Sequence, residues 1–196
     1  MREFSAVYRA LVDEMEEFFL GNPENSDHNQ YWYSPRTIER IVADLVEQAG
    51  SDGVIAFLST PSLYFSMPEE VRARSFVFDF DRKWEHDRGF VFYDFNEPTG
   101  LPAELLGKCD IVVIDPPFIT HEVWRKYAES TTLLLPSSGG KVLGTTIMEN
   151  APLLEELLTL RPTAFLPSIP NLVYQYNLYT SYPSTVFAIT NSEIPE

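Results

Sequence analysis

Apolar positions first recur at helical spacing. Phe4, Val7, Leu11, Met15 and Phe18, with acids between them, predict an amphipathic helix over residues 2–20. Gly21-Asn22-Pro23 stops it, and the polar stretch 24–30 reads as a loop. Ser34-Pro35 sets a capping hydroxyl before a proline at the first helical position. Ile38, Ile41, Val42, Leu45 and Val46 then carry a second helix to Gly50. Beyond it the pattern changes. Continuous apolar runs predict buried strands at 54–58 and 110–114, and further strands are predicted at 75–80, 90–95 and 140–145. Between them fall helical segments at 68–74, 101–106, 121–134 and 151–160. Aromatic-rich strands at 164–166 and within 172–189, with no helix between them, predict an antiparallel hairpin at the sheet edge. Strand and helix alternating over this length define an α/β fold with a mainly parallel central sheet.

Composition narrows the picture. The 196 residues make one ordinary domain, and 44% hydrophobic with 22% charged residues is a globular balance. No apolar run reaches the length needed to span a membrane, and Met1-Arg2-Glu3-Phe4 does not open a signal peptide. A lone cysteine, Cys109, permits no internal disulfide and fits a reducing, intracellular setting; just before a buried strand, it reads as core. Fourteen Lys and Arg against 29 Asp and Glu give a net charge of −15. A phosphate backbone needs clustered cations, so a nucleic-acid substrate is disfavoured; a basic protein partner suits the surface, although solubility alone accounts for such a charge slightly better. The scattered His28, His86 and His121 give no metal-ligand spacing.

Candidate chemistry lies where strands end. In open α/β sheets ligands sit at the carboxyl ends of strands, and Ser59-Thr60, Asp79 and Asp81, Asp94 and Asn96, and Asp115 all fall at such ends. An acid after the second strand is placed to accept hydrogen bonds from ribose hydroxyls, and a nucleoside cofactor would span several of these ends. Each residue taken alone is also an ordinary turn former. Asp115-Pro116-Pro117-Phe118 is the sharpest signal. Its prolines fix the backbone and remove two N–H donors, leaving carbonyls free to accept; Asp115 adds a carboxylate, and Phe118 a flat face for a planar or cationic group.

Asp-Pro-Pro-Phe after a strand resembles the motif of class I amino methyltransferases. Further segments resemble, in order, those of the elongation factor 1A lysine methyltransferase family, formerly described as N6-adenine-specific methyltransferase 2. They are Gln30-Tyr31-Trp32-Tyr33, Ser59-Thr60-Pro61-Ser62-Leu63-Tyr64, Phe78-Asp79-Phe80-Asp81-Arg82-Lys83-Trp84 and Phe92-Tyr93-Asp94-Phe95-Asn96. The likeness runs from about Gln30 to Ser184. Ser59-Thr60-Pro61 stands where many methyltransferases carry a glycine-rich loop, and Pro170-Asn171-Leu172 only partly matches the family's Arg-Asn-Leu.

The resemblance implies a Rossmann-like, S-adenosylmethionine-dependent protein-lysine methyltransferase of the cytoplasm, with elongation factor 1A as substrate. A domain over 30–196 would follow an N-terminal helix and loop over 1–29. The resemblance also assigns roles. Ser59, Thr60, Pro61, Asp79, Asp81, Asp94, Phe95 and Asp115 would hold the cofactor. Asp115, Pro116, Pro117 and Phe118 would be catalytic. Tyr31, Trp32, Tyr33 and Phe118 would wall the substrate pocket, although core packing explains the aromatic triplet equally well. No metal is expected. Two other readings stay open: an adenine methyltransferase acting on DNA or RNA, which the four-residue motif alone supports equally, and an α/β binding module without turnover.

Overall fold

The computed structural model describes Met15 and residues 18–195. Most of the predicted first helix lies outside the described residues; residues 18–21 are helical. Seven strands form one sheet. They are β1 (Ile55–Leu58), β2 (Phe76–Asp79), β3 (Phe90–Phe92), β4 (Ile111–Ile114), β5 (Lys141–Thr146), β6 (Arg161–Pro162) and β7 (Asn177–Thr180), in the order β3-β2-β1-β4-β5-β7-β6. β1 to β5 are parallel, and β7 runs antiparallel between β5 and β6.

Alternate residues of each strand feed opposite faces, so the fully buried runs IAFL and IVVI need cover on both sides. On one face Ile55, Phe57, Ile111 and Val113 pack under α1 (Pro35–Ala49), through Ile38, Ile41 and Leu45. On the other, Ala56, Leu58, Val112 and Ile114 meet Trp124, Tyr127 and Leu134 of α4 (His121–Leu134) and Leu153 and Leu154 of α5 (Ala151–Leu158). The result is a three-layer sandwich with the carboxyl ends of β1 to β4 on one edge.

Ser34 caps α1 as expected, its Oγ accepting from the Thr37 N–H at 3.2 Å. Other expectations change. The loop after β1 continues into a short helix, α2 (Pro61–Phe65), with Pro61 in its first turn. The segment predicted over 68–74 contracts to α3 (Glu69–Arg72). Residues 101–106 make only a three-residue 3-10 turn, Ala103–Leu105, opened by Pro102. β3 stops at Phe92 because the Tyr93 N–H bonds the Asp79 carbonyl and Asp94 starts a turn, its side chain accepting from the Asn96 N–H. Residues 164–166 are not a strand, because β7 pairs instead with the two residues Arg161–Pro162; Val186–Ala188 is a 3-10 turn that buries Phe187. Among the described residues no helix is long and apolar enough to cross a membrane.

Candidate active site

Sequence order reverses across the β1/β4 neighbours, and a crevice opens outside the strand ends at such a point. Here it is a cavity of about 640 Å³, within the usual span of small-molecule sites. Its lining includes Ser59 after β1, Asp79, Phe80 and Asp81 at and after β2, Tyr93, Asp94 and Phe95 after β3, and Asp115 to Phe118 after β4. Five aspartates, Asp27, Asp79, Asp81, Asp94 and Asp115, reach it, and among the described residues no Lys, Arg or His does. Such a cavity favours cations and hydrogen-bond donors and repels phosphate.

Each strand end is held by its local chain. Ser59 takes a left-handed conformation, φ 57°, which replaces the missing glycine turn at some cost for a side-chain-bearing residue. Its N–H bonds the Phe78 carbonyl at 2.8 Å, and its Oγ pairs with the Tyr127 hydroxyl at 2.6 Å. The turn sends the chain into α2, so Thr60 and Pro61 are buried; of the loop Ser59-Thr60-Pro61, only Ser59 lines the cavity. Asp79 is 6% exposed and accepts the Asp81 N–H at 2.8 Å. Asp81 pairs with Lys83 at 3.3 Å, and the Lys83 ammonium lies 4.2 Å from the Trp84 ring centre and bonds Gln30 Oε1 at 3.3 Å. Phe95 and Phe118 meet edge to face at 6.1 Å, with Phe118 on the exposed rim.

The aromatic triplet divides. Tyr31 lines the cavity. Trp32 shows one edge to it and otherwise packs with Phe18 and Trp84, its indole N–H donating to the Asn22 carbonyl at 2.9 Å. Tyr33 is not a wall. It lies behind the motif, donating its hydroxyl to Asp115 Oδ2 at 2.6 Å and sharing a 2.6 Å hydrogen bond with Thr145 Oγ1 on β5. Burial pushes the Asp115 carboxyl up to about 7, against the opposing pull of the Tyr33 and Thr145 hydroxyls. Burial, and then the charge of Asp115, hold the Tyr33 phenol well above its ordinary value. Cys109 is fully buried, its thiol pushed up to about 12 by burial, which suits a core residue.

Sequence reasoning missed several lining residues. Asp27, Asn29 and Gln30 come from the segment before the first core helix; Tyr127 comes from α4, and Ile169, Leu172, Tyr174 and Tyr176 from the chain leading into β7. A periodic aromatic such as Tyr127 is indistinguishable in sequence from a core residue. Tyr176 could be found only from the pairing of β7 with β5, which sets Asn177 opposite Thr146.

A sheet in this order, with a cavity across four parallel strand ends, defines a Rossmann-like α/β protein with a ligand crevice where the strand order reverses. Its backbone is similar to that of a branched-chain polyamine synthase from Thermus thermophilus, with a TM-score of 0.61 at 15% identity, covering 85% of this chain and 62% of that one. The model of the family described as probable N6-adenine methyltransferase matches residues 24–184. EEF1A lysine methyltransferase 1 of Mus musculus is 35% identical over 168 residues, 82% of this chain and 76% of its own. That of Danio rerio is 35% identical over 171 residues, 82% of this chain and 99% of its own. The chain therefore belongs to the family of these EEF1A lysine methyltransferases, which are S-adenosylmethionine-dependent protein-lysine methyltransferases.

Proposed function

We propose that this protein methylates a lysine side chain of translation elongation factor 1A in the cytoplasm, using S-adenosylmethionine. The observation that carries the reading is the cavity itself, with five aspartates and, among the described residues, no basic side chain. It suits a cationic cofactor and an amine substrate, and it opposes a phosphate backbone. The cofactor fits the residues present: the acids at the ends of β2 and β3 are acceptors for hydroxyl and amino donors, and Phe80 and Phe95 offer flat faces. Asp79, Asp81, Asp94 and Phe95 would hold it together with Ser59, the residue of the loop Ser59-Thr60-Pro61 that lines the cavity. When bound, it supplies an electrophilic methyl group on a sulfonium.

The protein's own part is positioning and proton handling. A lysine ammonium has no lone pair to donate. Transfer into a partly dehydrated cavity lowers its pKa and lets the proton leave to water, while Asp115, pushed up to about 7 by burial, is present as the carboxylate above that pH. Asp115 and the Pro116 carbonyl then accept the amine N–H groups, and Pro117 stiffens that backbone. Phe118 and Tyr31 flank the substrate chain. We read 30–196 as the catalytic domain; of the segment before it, Phe18 stacks with Trp84 at 5.6 Å and Asp27 reaches the cavity.

Transfer of labelled methyl to purified elongation factor 1A, bulk RNA and DNA tests the proposal. Label on the elongation factor, lost in Asp115→Ala, is the expected result. Label on nucleic acid alone would overturn it in favour of adenine methylation.

A further inference from the structure

Among the described residues six tyrosines are buried, and their hydroxyls separate one from the rest. Tyr33 bonds Asp115 and Thr145, Tyr64 bonds Asp87, Tyr93 bonds Ser130, Tyr127 bonds Ser59, and Tyr179 bonds the Ile147 carbonyl. The sixth, Tyr176, is 8% exposed, and its hydroxyl has no hydrogen-bond partner among the described residues. It is not among the polar atoms sealed from water without a partner, which are Thr60 Oγ1, Trp84 Nε1 and Trp124 Nε1 among the described residues, so its oxygen is open to solvent and to a ligand. Tyr176 lines the methyl-transfer cavity.

Its position is fixed from two sides. The β5–β7 register sets Asn177, its chain neighbour, opposite Thr146, next to the Thr145 that bonds Tyr33. The Gln175 side-chain amide donates to the Tyr176 carbonyl at 2.7 Å and to the Pro167 carbonyl at 2.9 Å, tying the approach to β7. Tyr176 and Asp115 line the same cavity, and the Asp115 charge adds to the upward push of burial on the phenol. The phenol stays protonated and neutral, able both to donate and to accept.

We propose that the Tyr176 hydroxyl is a catalytic group that accepts a hydrogen bond from the substrate amine, completing with Asp115 and the Pro116 carbonyl the set that aims its lone pair. This rests on the lysine reading above. One Asp115 oxygen is already engaged by Tyr33, so the amine needs further acceptors, and the Tyr176 hydroxyl on the cavity lining is uncommitted among the described residues. The loop carrying it is the region least matched by sequence motifs, which is why no sequence signal marked it.

Tyr176→Phe tests the idea cleanly, because the deleted hydroxyl makes no bond within the described residues and its loss leaves the fold alone. The full-length variant and the wild type are assayed for methyl transfer to purified elongation factor 1A, alongside S-adenosylmethionine affinity and thermal midpoint. Loss of a hydrogen bond from an amine that gains positive charge as the methyl arrives predicts kcat lower by about 10- to 100-fold. KM, cofactor affinity and midpoint should stay near wild type. Wild-type kcat in the variant, or a loss of activity matched by loss of cofactor affinity, would overturn the assignment while leaving the lysine reading intact. A wild-type protein that methylates no lysine would instead overturn that reading, and this inference with it.

Discussion

Replacing Tyr33 by Phe removes one oxygen from behind the active-site carboxylate and nothing from the cavity wall. The hydroxyl donates to Asp115 Oδ2 at 2.6 Å and opposes the effect of burial, which alone drives the carboxyl upward. A hydrogen bond to a charged group is worth about 1.5–3 kcal/mol, and 1.36 kcal/mol moves a pKa by one unit. The Asp115 carboxyl, near 7 in the wild type, should therefore rise to about 8–9 in Tyr33→Phe. If transfer needs the carboxylate, kcat/KM at pH 7 falls by about 5- to 50-fold and the deficit closes above about pH 9. The assay is the ratio of variant to wild-type kcat/KM from about pH 6 to about pH 10, which cancels the titration of the free lysine. The variant also takes one hydrogen-bond partner from the buried Thr145 hydroxyl, so a lower thermal midpoint is expected. A ratio that does not change with pH would refute the reasoning, because the hydroxyl would then be only structural.

Other expectations follow from the same geometry. The folded-state pKa of Asp115 is raised, so its contribution to stability is present at about pH 4 and lost as pH rises through about 7. Asp115→Asn should accordingly gain stability over wild type at pH 8 but not at pH 4 in paired thermal melts. Asp79→Asn removes a buried charge from the end of β2 and should weaken S-adenosylmethionine binding by about 10-fold or more, read by calorimetry. Asp44, buried on α1, accepts from Tyr182 at 2.7 Å and Ser184 at 2.5 Å. Asp44→Ala strands both hydroxyls and should cost about 2–4 kcal/mol in denaturant titrations, with methyl transfer retained at low temperature. An acid-lined cavity attracting a basic substrate should lose kcat/KM as salt is raised.

The parallel half of the fold is legible in the sequence because each strand is a compact apolar run bounded by turn residues, as in VIAFL and DIVVI. The polar residues at the strand ends follow these runs directly in the chain, so the pattern alone puts Asp79, Asp94 and Asp115 at the cavity. The last third is not legible. β6 is two residues and includes a proline, and β7 shares its aromatic, alternating character with the loop that leads into it. Tyr33 reads as wall or core because an aromatic gives no sign of where its hydroxyl points. Only the packing of α1 and β5 around Asp115 turns it into a support for the carboxylate. Tyr176 is hidden for the same reason.

The most direct test is peptide mapping by mass spectrometry of elongation factor 1A incubated with S-adenosylmethionine and either the wild-type protein or Asp115→Ala. A methylated lysine found only with the wild type, while the variant still binds the cofactor, is the predicted result. Methylation that survives in Asp115→Ala, or that falls on no lysine at all, would contradict the account.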